Sequence, residues 1–213
     1  MTGVLLDVNE TLLDLTGLQP AFESMGLPDA LPLWFSQTLR NGFALAAAGD
    51  YRPFAEVAES TLHSINPRAN AKTLMAAFAH LTPHPDVTDG LQVLADAGIP
   101  AMTLTVGSAE NVARIFDRHG LGDLVSGHLS VDEVHRWKPA AAPYLSGCLA
   151  LGLPTREVTM VAAHSWDLHG ARRAGLRTAW ISRLEGSRPE IFSAADIEGP
   201  DLPTVAAAIV AAS

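Results

Sequence analysis

The sequence predicts an α/β fold with a parallel sheet core, helices on both faces of the sheet and a helical cap inserted after the first strand. Short apolar runs of strand length alternate with helical patterns through most of the chain. One long stretch near the N-terminus carries helical patterns only. Alternating strands and helices form parallel sheets, and such sheets bind their ligands at the carboxyl ends of the strands.

Four apolar runs predict the strands of this sheet, since they are too short for helices and are bounded by polar residues. They span residues 3–6, 100–105, 158–163 and 178–181. Each run ends at residues that can carry chemistry. Asp7 follows the first run, Val106-Gly107-Ser108 the second, His164 the third and Ser182-Arg183 the fourth. These polar strand ends are therefore the first place to look for a site.

Helical patterns at 88–97, 109–119, 140–151 and 167–174 lie between the strands, and an alanine-rich tail predicts a last helix. Each of the four is followed by a glycine, the residue that tolerates the left-handed conformation after a helix: Gly98, Gly120, Gly152 and Gly175. The resulting order of strands and helices is that of a Rossmann-like α/β domain.

Residues 15–84 do not follow this order. They carry helical patterns at 31–48, 54–65 and 71–81 and no convincing strand, and Pro83-His84-Pro85 then marks the return to the sheet. We therefore predict a core domain formed by residues 1–14 and 85–213, and a helical cap domain formed by residues 15–84. The cap is expected to cover the strand ends as a lid.

The composition and the N-terminus favour a cytoplasmic protein of the size of an enzyme. Apolar residues make up 48% of the 213 residues, and the formal charge of -9 argues against a nucleic-acid partner. No apolar stretch approaches the ~20 residues that span a bilayer, and the N-terminus lacks the features of a secretion signal. Cys148 is the only cysteine, so an internal disulfide is excluded and a buried structural thiol is expected.

Four features at the strand ends suggest nucleophilic catalysis. They are Asp7 in the run DVNET, Thr105, Lys138 with Pro139 behind it, and Asp167. A carboxylate can attack an electrophile and leave an ester that water then hydrolyses. A lysine close to Asp7 would keep that carboxylate ionised. Thr105 and the backbone amides around Gly107 can bind an anionic part of the substrate, and Asp167 can also serve as a helix N-cap.

These features, in this order, resemble the haloacid dehalogenase (HAD) superfamily over nearly the whole chain. Tyr144, six residues after Lys138, and the run SWDLHGARRAGLRTAWISR are most similar to type II L-2-haloacid dehalogenases. The resemblance implies a hydrolase with a covalent Asp7 intermediate, catalytic roles for Asp7, Thr105, Lys138 and Asp167, and an arrangement as a homodimer. Substrate contacts are then expected from Asn9, Thr11, Val106, Gly107, Phe35, Arg40, Tyr144, His164 and Trp166.

The sequence also departs from both branches of this family. Phosphatase members have a second Asp, the general acid, where this chain has Asn9, and an acidic pair where it has Ala162 and Ala163. Dehalogenase members have a Tyr at Asn9, an Asn at Val106 and at His164, and a halide-contacting Arg at Phe35. Arg40 or Arg52 in the cap is a candidate replacement for that arginine.

Three functions stay open at this point. The first is a dehalogenase-like hydrolase of small 2-substituted carboxylic acids, which requires no cofactor. The second is a phosphatase of small phosphorylated metabolites, with Mg²⁺ bound by Asp7, the Asn9 carbonyl and Asp167. The third is a catalytically degenerate member of the superfamily that binds a ligand or partner without turnover.

Overall fold

The computed structural model describes residues 2–213 and contains a six-stranded, all-parallel sheet with the strand order β5-β4-β1-β6-β7-β8. The strands of this sheet are β1 (Gly3–Leu6), β4 (Ala101–Thr105), β5 (Gly127–Ser130), β6 (Val158–Ala162), β7 (Arg177–Ile181) and β8 (Ile197–Gly199). The strand β1, which leads to Asp7, lies between β4 and β6 at the centre of the sheet. The predicted α/β fold with a parallel sheet is confirmed.

Helices cover both faces of the sheet. The helices after the insertion are α5 (Val87–Asp96), α6 (Ala109–Arg118), α7 (Ala141–Leu151), α8 (Ser165–Arg173) and α9 (Leu202–Ala211). Successive residues of β1 point to opposite faces. Val4 and Leu6 join the apolar cluster that contains side chains of α5, α6 and α9, whereas Leu5 joins the cluster formed with α7 and α8.

The helix α7 lies close against the sheet because Gly147 has no side chain. A Cβ atom at Gly147 would lie 2.5 Å from Cδ1 of Leu5, closer than any real contact. Cys148 is buried beside it in the same cluster, as the sequence predicts. This close packing brings the start of α7, and the loop that carries Lys138, towards the central strand.

The insertion is helical, with one correction to the prediction. It contains α1 (Gln19–Ser24), α2 (Leu31–Ala48), α3 (Phe54–Ile65) and α4 (Ala71–Phe78). However, β3 (Thr82–Pro83), within the stretch expected to lack strands, pairs antiparallel with β2 (Leu13–Asp14). The pairing needs only two residues on each side, too few for a sequence pattern. The β2–β3 pair connects the segment in which the chain leaves the sheet for the insertion with the segment in which it returns.

The inserted helices contact the carboxyl edge of the sheet. Trp137 Nε1 donates a hydrogen bond to the carbonyl of Arg52 at 2.8 Å, and the rings of Phe35 and His164 lie 6.4 Å apart. These contacts place the insertion over the strand ends. The division into a core domain (1–14 and 85–213) and a cap domain (15–84) stays a prediction. Within residues 2–213, no helix is both long and apolar enough to cross a bilayer.

Candidate active site

Three acidic and basic side chains that are far apart in sequence meet at the carboxyl edge of the sheet. Asp7 directly follows β1, and Asp167 lies in the first turn of α8, just after the neighbouring strand β6. Lys138 lies in the loop before α7. Its Nζ donates to Asp7 Oδ1 at 2.8 Å and to Asp167 Oδ2 at 2.7 Å, and all three side chains are buried.

Two hydroxyl groups engage the remaining carboxylate oxygens. Thr11 Oγ1 donates to Asp7 Oδ2 at 2.7 Å and accepts from the Ala163 amide at 2.9 Å. Tyr144 donates to Asp167 Oδ1 at 2.6 Å. Both side chains are fully buried. The sequence suggested that Thr11 and Tyr144 contact the substrate; in the structure, their hydroxyls hold the two carboxylates.

Burial and the charges around the cluster shift the pKa values of its two carboxyl groups in opposite directions. Burial disfavours the ionised form of Asp7, but attraction to Lys138 and contact with His164 outweigh it and hold the pKa well below its usual range. Burial, together with the charge of Asp7, raises the pKa of Asp167 although Lys138 opposes the shift. Burial also works against the charged lysine, yet the two carboxylates raise the pKa of Lys138. Asp7 is therefore an ionised carboxylate with a permanent cation beside it.

His164 is the second cation of the site. Its Nδ1 lies 3.5 Å from Asp7 Oδ2, and its Nε2 lies 3.1 Å from Glu10 Oε2. Burial lowers the pKa of His164, but contacts with Asp7 and Glu10 overcome this and raise it to about 10. No sequence pattern distinguishes Glu10 as a site residue. Its φ of 61° is in the left-handed region, which only the folded turn after β1 reveals.

The end of β4 forms a second part of the site. Thr105, assigned a catalytic role from the sequence, is buried, and its Oγ1 accepts from the Gly107 amide at 2.9 Å. Val106 is also buried. Thr105 and Gly107, together with Asn9, line a cavity of about 280 Å³ that Phe54, Met75 and Phe78 of the insertion close from the other side. This cavity is large enough for a small organic acid.

Phe35 and Trp166 lie at the site, whereas the cap arginines do not. The Phe35 and Trp166 rings are 6.4 Å and 5.4 Å from the His164 ring. Arg40 is exposed, and its guanidinium donates to Asn41 Oδ1, so the structure does not bring it to the substrate-binding position expected from the sequence. Five residues after Phe35 on one helix correspond to a rotation of about 140°, which directs Arg40 away. Arg52 is likewise exposed and pairs with Glu56.

The donor set does not fit the magnesium ion that a phosphatase would need. Mg²⁺ requires free oxygen ligands in near-octahedral geometry. Lys138 Nζ already occupies the space between Asp7 and Asp167, and Thr11 and Tyr144 engage their outer oxygens. No group of three His, Cys, Asp or Glu side chains within residues 2–213 is arranged to hold a metal. A metal bound by Asp7, Asn9 and Asp167 would have to displace the lysine.

Comparison with known proteins decides the family. Residues 1–175 match the family model described as haloacid dehalogenase-like hydrolase. The chain belongs to the haloacid dehalogenase-like hydrolases. The (S)-2-haloacid dehalogenase of Pseudomonas sp. strain YL is 28% identical over 215 residues, which cover 95% of this chain and 92% of that protein. The (S)-2-haloacid dehalogenase H-109 of Pseudomonas putida is 27% identical over 191 residues, or 85% of each chain.

Solved structures of the same family share the fold. An L-2-haloacid dehalogenase from Xanthobacter autotrophicus, solved with chloropropionic acid covalently bound, superposes with a TM-score of 0.87 at 22% identity and covers 98% of both chains. The family inferred from DVNET, Lys138 and the run after β6 is thus confirmed. So is the hydrolase class.

Proposed function

We propose that this haloacid dehalogenase-like hydrolase removes halide from small 2-haloalkanoic acids through an ester on Asp7. The observation that carries the proposal is the Asp7–Lys138 pair. A buried, ionised carboxylate held by a lysine at 2.8 Å is a poorly solvated nucleophile with a fixed position. The similar proteins named (S)-2-haloacid dehalogenases, which match along 85% or more of this chain, support the same substrate class.

The leaving group decides between halide and phosphate chemistry. An alkoxide that leaves a phosphate ester needs a proton, and Asn9 cannot supply one at neutral pH. A halide ion leaves without a proton. Lys138 also occupies the space between Asp7 and Asp167, the two carboxylates that would have to bind Mg²⁺ in this chain. Both observations favour dehalogenation over phosphate hydrolysis.

The proposed reaction has two steps. An oxygen of Asp7 attacks C2 of the substrate from the side opposite the halogen, so the C–O bond forms as the C–X bond breaks and the halide leaves. Water then adds to the side-chain carboxyl carbon of the ester, the 2-hydroxyacid leaves, and Asp7 is restored. Attack from behind inverts C2, so (S)-2-chloropropionate should give (R)-lactate.

Chloride release is measured with (S)- and (R)-2-chloropropionate, each in the presence of Mg²⁺ or of EDTA. Release of p-nitrophenol from p-nitrophenyl phosphate under the same conditions measures phosphatase activity. We expect chloride and (R)-lactate from the (S)-acid at a rate that EDTA does not change. Mg²⁺-dependent release of p-nitrophenol without chloride would contradict the proposal in favour of a phosphatase. Thermal stabilisation by the acid without any turnover would favour a degenerate, ligand-binding protein.

Two further expectations from the sequence belong with this proposal. A homodimer is expected from the dehalogenase resemblance, and a cytoplasmic location from the composition and the N-terminus. Sedimentation and cell fractionation test them separately, and the proposed chemistry depends on neither.

A further inference from the structure

The imidazole of His164 lies between the carboxylates of Asp7 and Glu10, with each ring nitrogen facing one of them. Nε2 is 3.1 Å from Glu10 Oε2, a hydrogen-bonding distance. Nδ1 is 3.5 Å from Asp7 Oδ2 and is shielded from solvent, yet no hydrogen bond to it forms within residues 2–213. A buried nitrogen with no hydrogen-bond partner thus points at the carboxylate that would carry the ester.

The surroundings of His164 fix this ring while leaving room beside it. The Phe35 and Trp166 rings pack near the imidazole, and only 8% of the His164 side chain is exposed. His164 and Glu10 also line a cavity of about 350 Å³ whose other walls include Phe35 and Leu39 of α2. A cavity of this size has room for water on the side of the ring that faces the insertion.

We propose that His164 is the general base that activates water for hydrolysis of the Asp7 ester, and that Glu10 positions it. This inference rests on the proposed dehalogenase function. Glu10 accepts the Nε2 proton, which leaves Nδ1 as the basic nitrogen next to Asp7. A carboxylate that orients an imidazole from its far side is the arrangement that makes histidine an effective base. Nδ1 is 3.5 Å from Asp7 Oδ2, so a water molecule that adds to the carboxyl carbon of Asp7 from the side of His164 would lie within reach of this nitrogen.

The proton balance follows from the charge of Asp7. In the free enzyme, His164 is an imidazolium because two carboxylates surround it. Formation of the ester removes the negative charge of Asp7, so His164 releases one proton to solvent. The neutral ring then takes a proton from water as hydroxide adds to the ester carbon. When the intermediate collapses, the departing alkoxide takes the proton of the new carboxyl group, and Asp7 and the imidazolium are both restored.

Rapid-quench kinetics with (S)-2-chloropropionate separate this role from a purely structural one. In His164→Ala and His164→Gln, we expect a burst of about one chloride per active site, followed by steady-state turnover about 10²–10⁴-fold slower than in the wild type. Mass spectrometry of the quenched protein should show the ester on the Asp7 peptide. Glu10→Ala should accumulate the same ester with a smaller loss. The matched control is His169→Gln. His169 is a histidine within helix α8, and its ring lies 5.3 Å from that of Phe192, so this variant should behave as wild type.

The outcomes distinguish the two proposals. If the His164 variants lose the chloride burst as well as turnover, or turn over without accumulating ester, His164 is not the base, although the dehalogenase function stands. If the wild type releases no chloride and forms no adduct at Asp7, the proposed function is wrong and the role of His164 fails with it. Because the burst itself requires a folded site, a variant that shows it cannot be dismissed as misfolded.

Discussion

Lys138 and Asp7, 131 residues apart in sequence, form a direct ion pair with Nζ 2.8 Å from Oδ1. The same ammonium is shared with Asp167, so one buried lysine compensates two buried carboxylates. Such a group is stable only as a unit, since removal of one member leaves charge without a partner in a medium that solvates it poorly.

Lys138→Met should destabilise the fold as well as abolish turnover. The substitution leaves Asp7 and Asp167 buried without their shared cation, and breaking a buried pair typically costs about 3–5 kcal/mol. Urea denaturation at pH 7 measures this loss. Without the lysine, Asp7 still has His164 beside it, whereas the side-chain partner left to Asp167 is the neutral Tyr144. Adding Asp167→Asn removes this unpaired carboxylate, so the double variant should recover part of the stability but no activity. A single variant as stable as the wild type would contradict the assignment.

Thr11→Val should weaken the hold on the nucleophile. The change removes the donor to Asp7 Oδ2 and the acceptor for the Ala163 amide, both in a fully buried place. Buried polar groups that lose their partner cost about 1–3 kcal/mol each. Thr11→Ser retains the hydroxyl and is the control, so it should keep more stability and more turnover than Thr11→Val. Equal effects of the two substitutions in denaturation and chloride-release assays would argue against these hydrogen bonds.

The free energy of unfolding should fall as the pH rises from about 6.5 to about 10, and His164 should cause part of this fall. The contacts with Asp7 and Glu10 raise its pKa from 6.5 to about 10 against the effect of burial. The stabilisation is therefore complete below pH 6.5 and is lost as pH approaches 10. Urea titrations at several pH values should give a shallower slope for His164→Gln. Burial raises the pKa of the Cys148 thiol to about 11, so this group also contributes to the pH dependence. Its contribution is the same in the wild type and in His164→Gln and therefore cancels in the difference between their slopes. Identical slopes would show that His164 is not a buried cation.

The centre of the sheet could be predicted from the sequence, but its edges could not. Strands β1, β4, β6 and β7 are buried on both faces and therefore appear as apolar runs, which the sequence placed within one residue at each end. Strands β5 and β8 lie at the two edges of the sheet. Two of the four residues of β5 and all three of β8 are at least partly exposed, and their sequences, GHLS and IEG, contain no such run.

The convergence of Asp7, Lys138 and Asp167 was also predictable, because the carboxyl ends of parallel strands meet at one edge. Glu10 was missed because its contact with His164 joins residues 154 positions apart and depends on a left-handed turn. Arg40 was a candidate for the missing halide-contacting arginine of the family. The position of Arg40 on its helix could have excluded this role, since side chains five residues apart on a helix point in directions that differ by about 140°.

Gly42→Ala tests the contact of the insertion with the loop that carries Lys138. A Cβ atom at Gly42 would lie 2.3 Å from the ring of Trp137, the residue before Lys138. Overpacking of this kind costs about 1–3 kcal/mol, and the displaced loop should lower turnover as well. Ala44→Ser, at an exposed position of the same helix, is the control and should change neither. Unchanged stability and chloride release in Gly42→Ala would mean that the contact does not position Lys138.

Single-turnover hydrolysis of (S)-2-chloropropionate in ¹⁸O-labelled water, with the enzyme in excess, tests most directly whether Asp7 is the nucleophile. Because water adds to the carboxyl carbon of Asp7, the label should enter the Asp7 side chain and be found in its peptide by mass spectrometry. A folded Asp7→Asn variant should release no chloride. Label found only in the lactate, with none in Asp7, would contradict the ester mechanism.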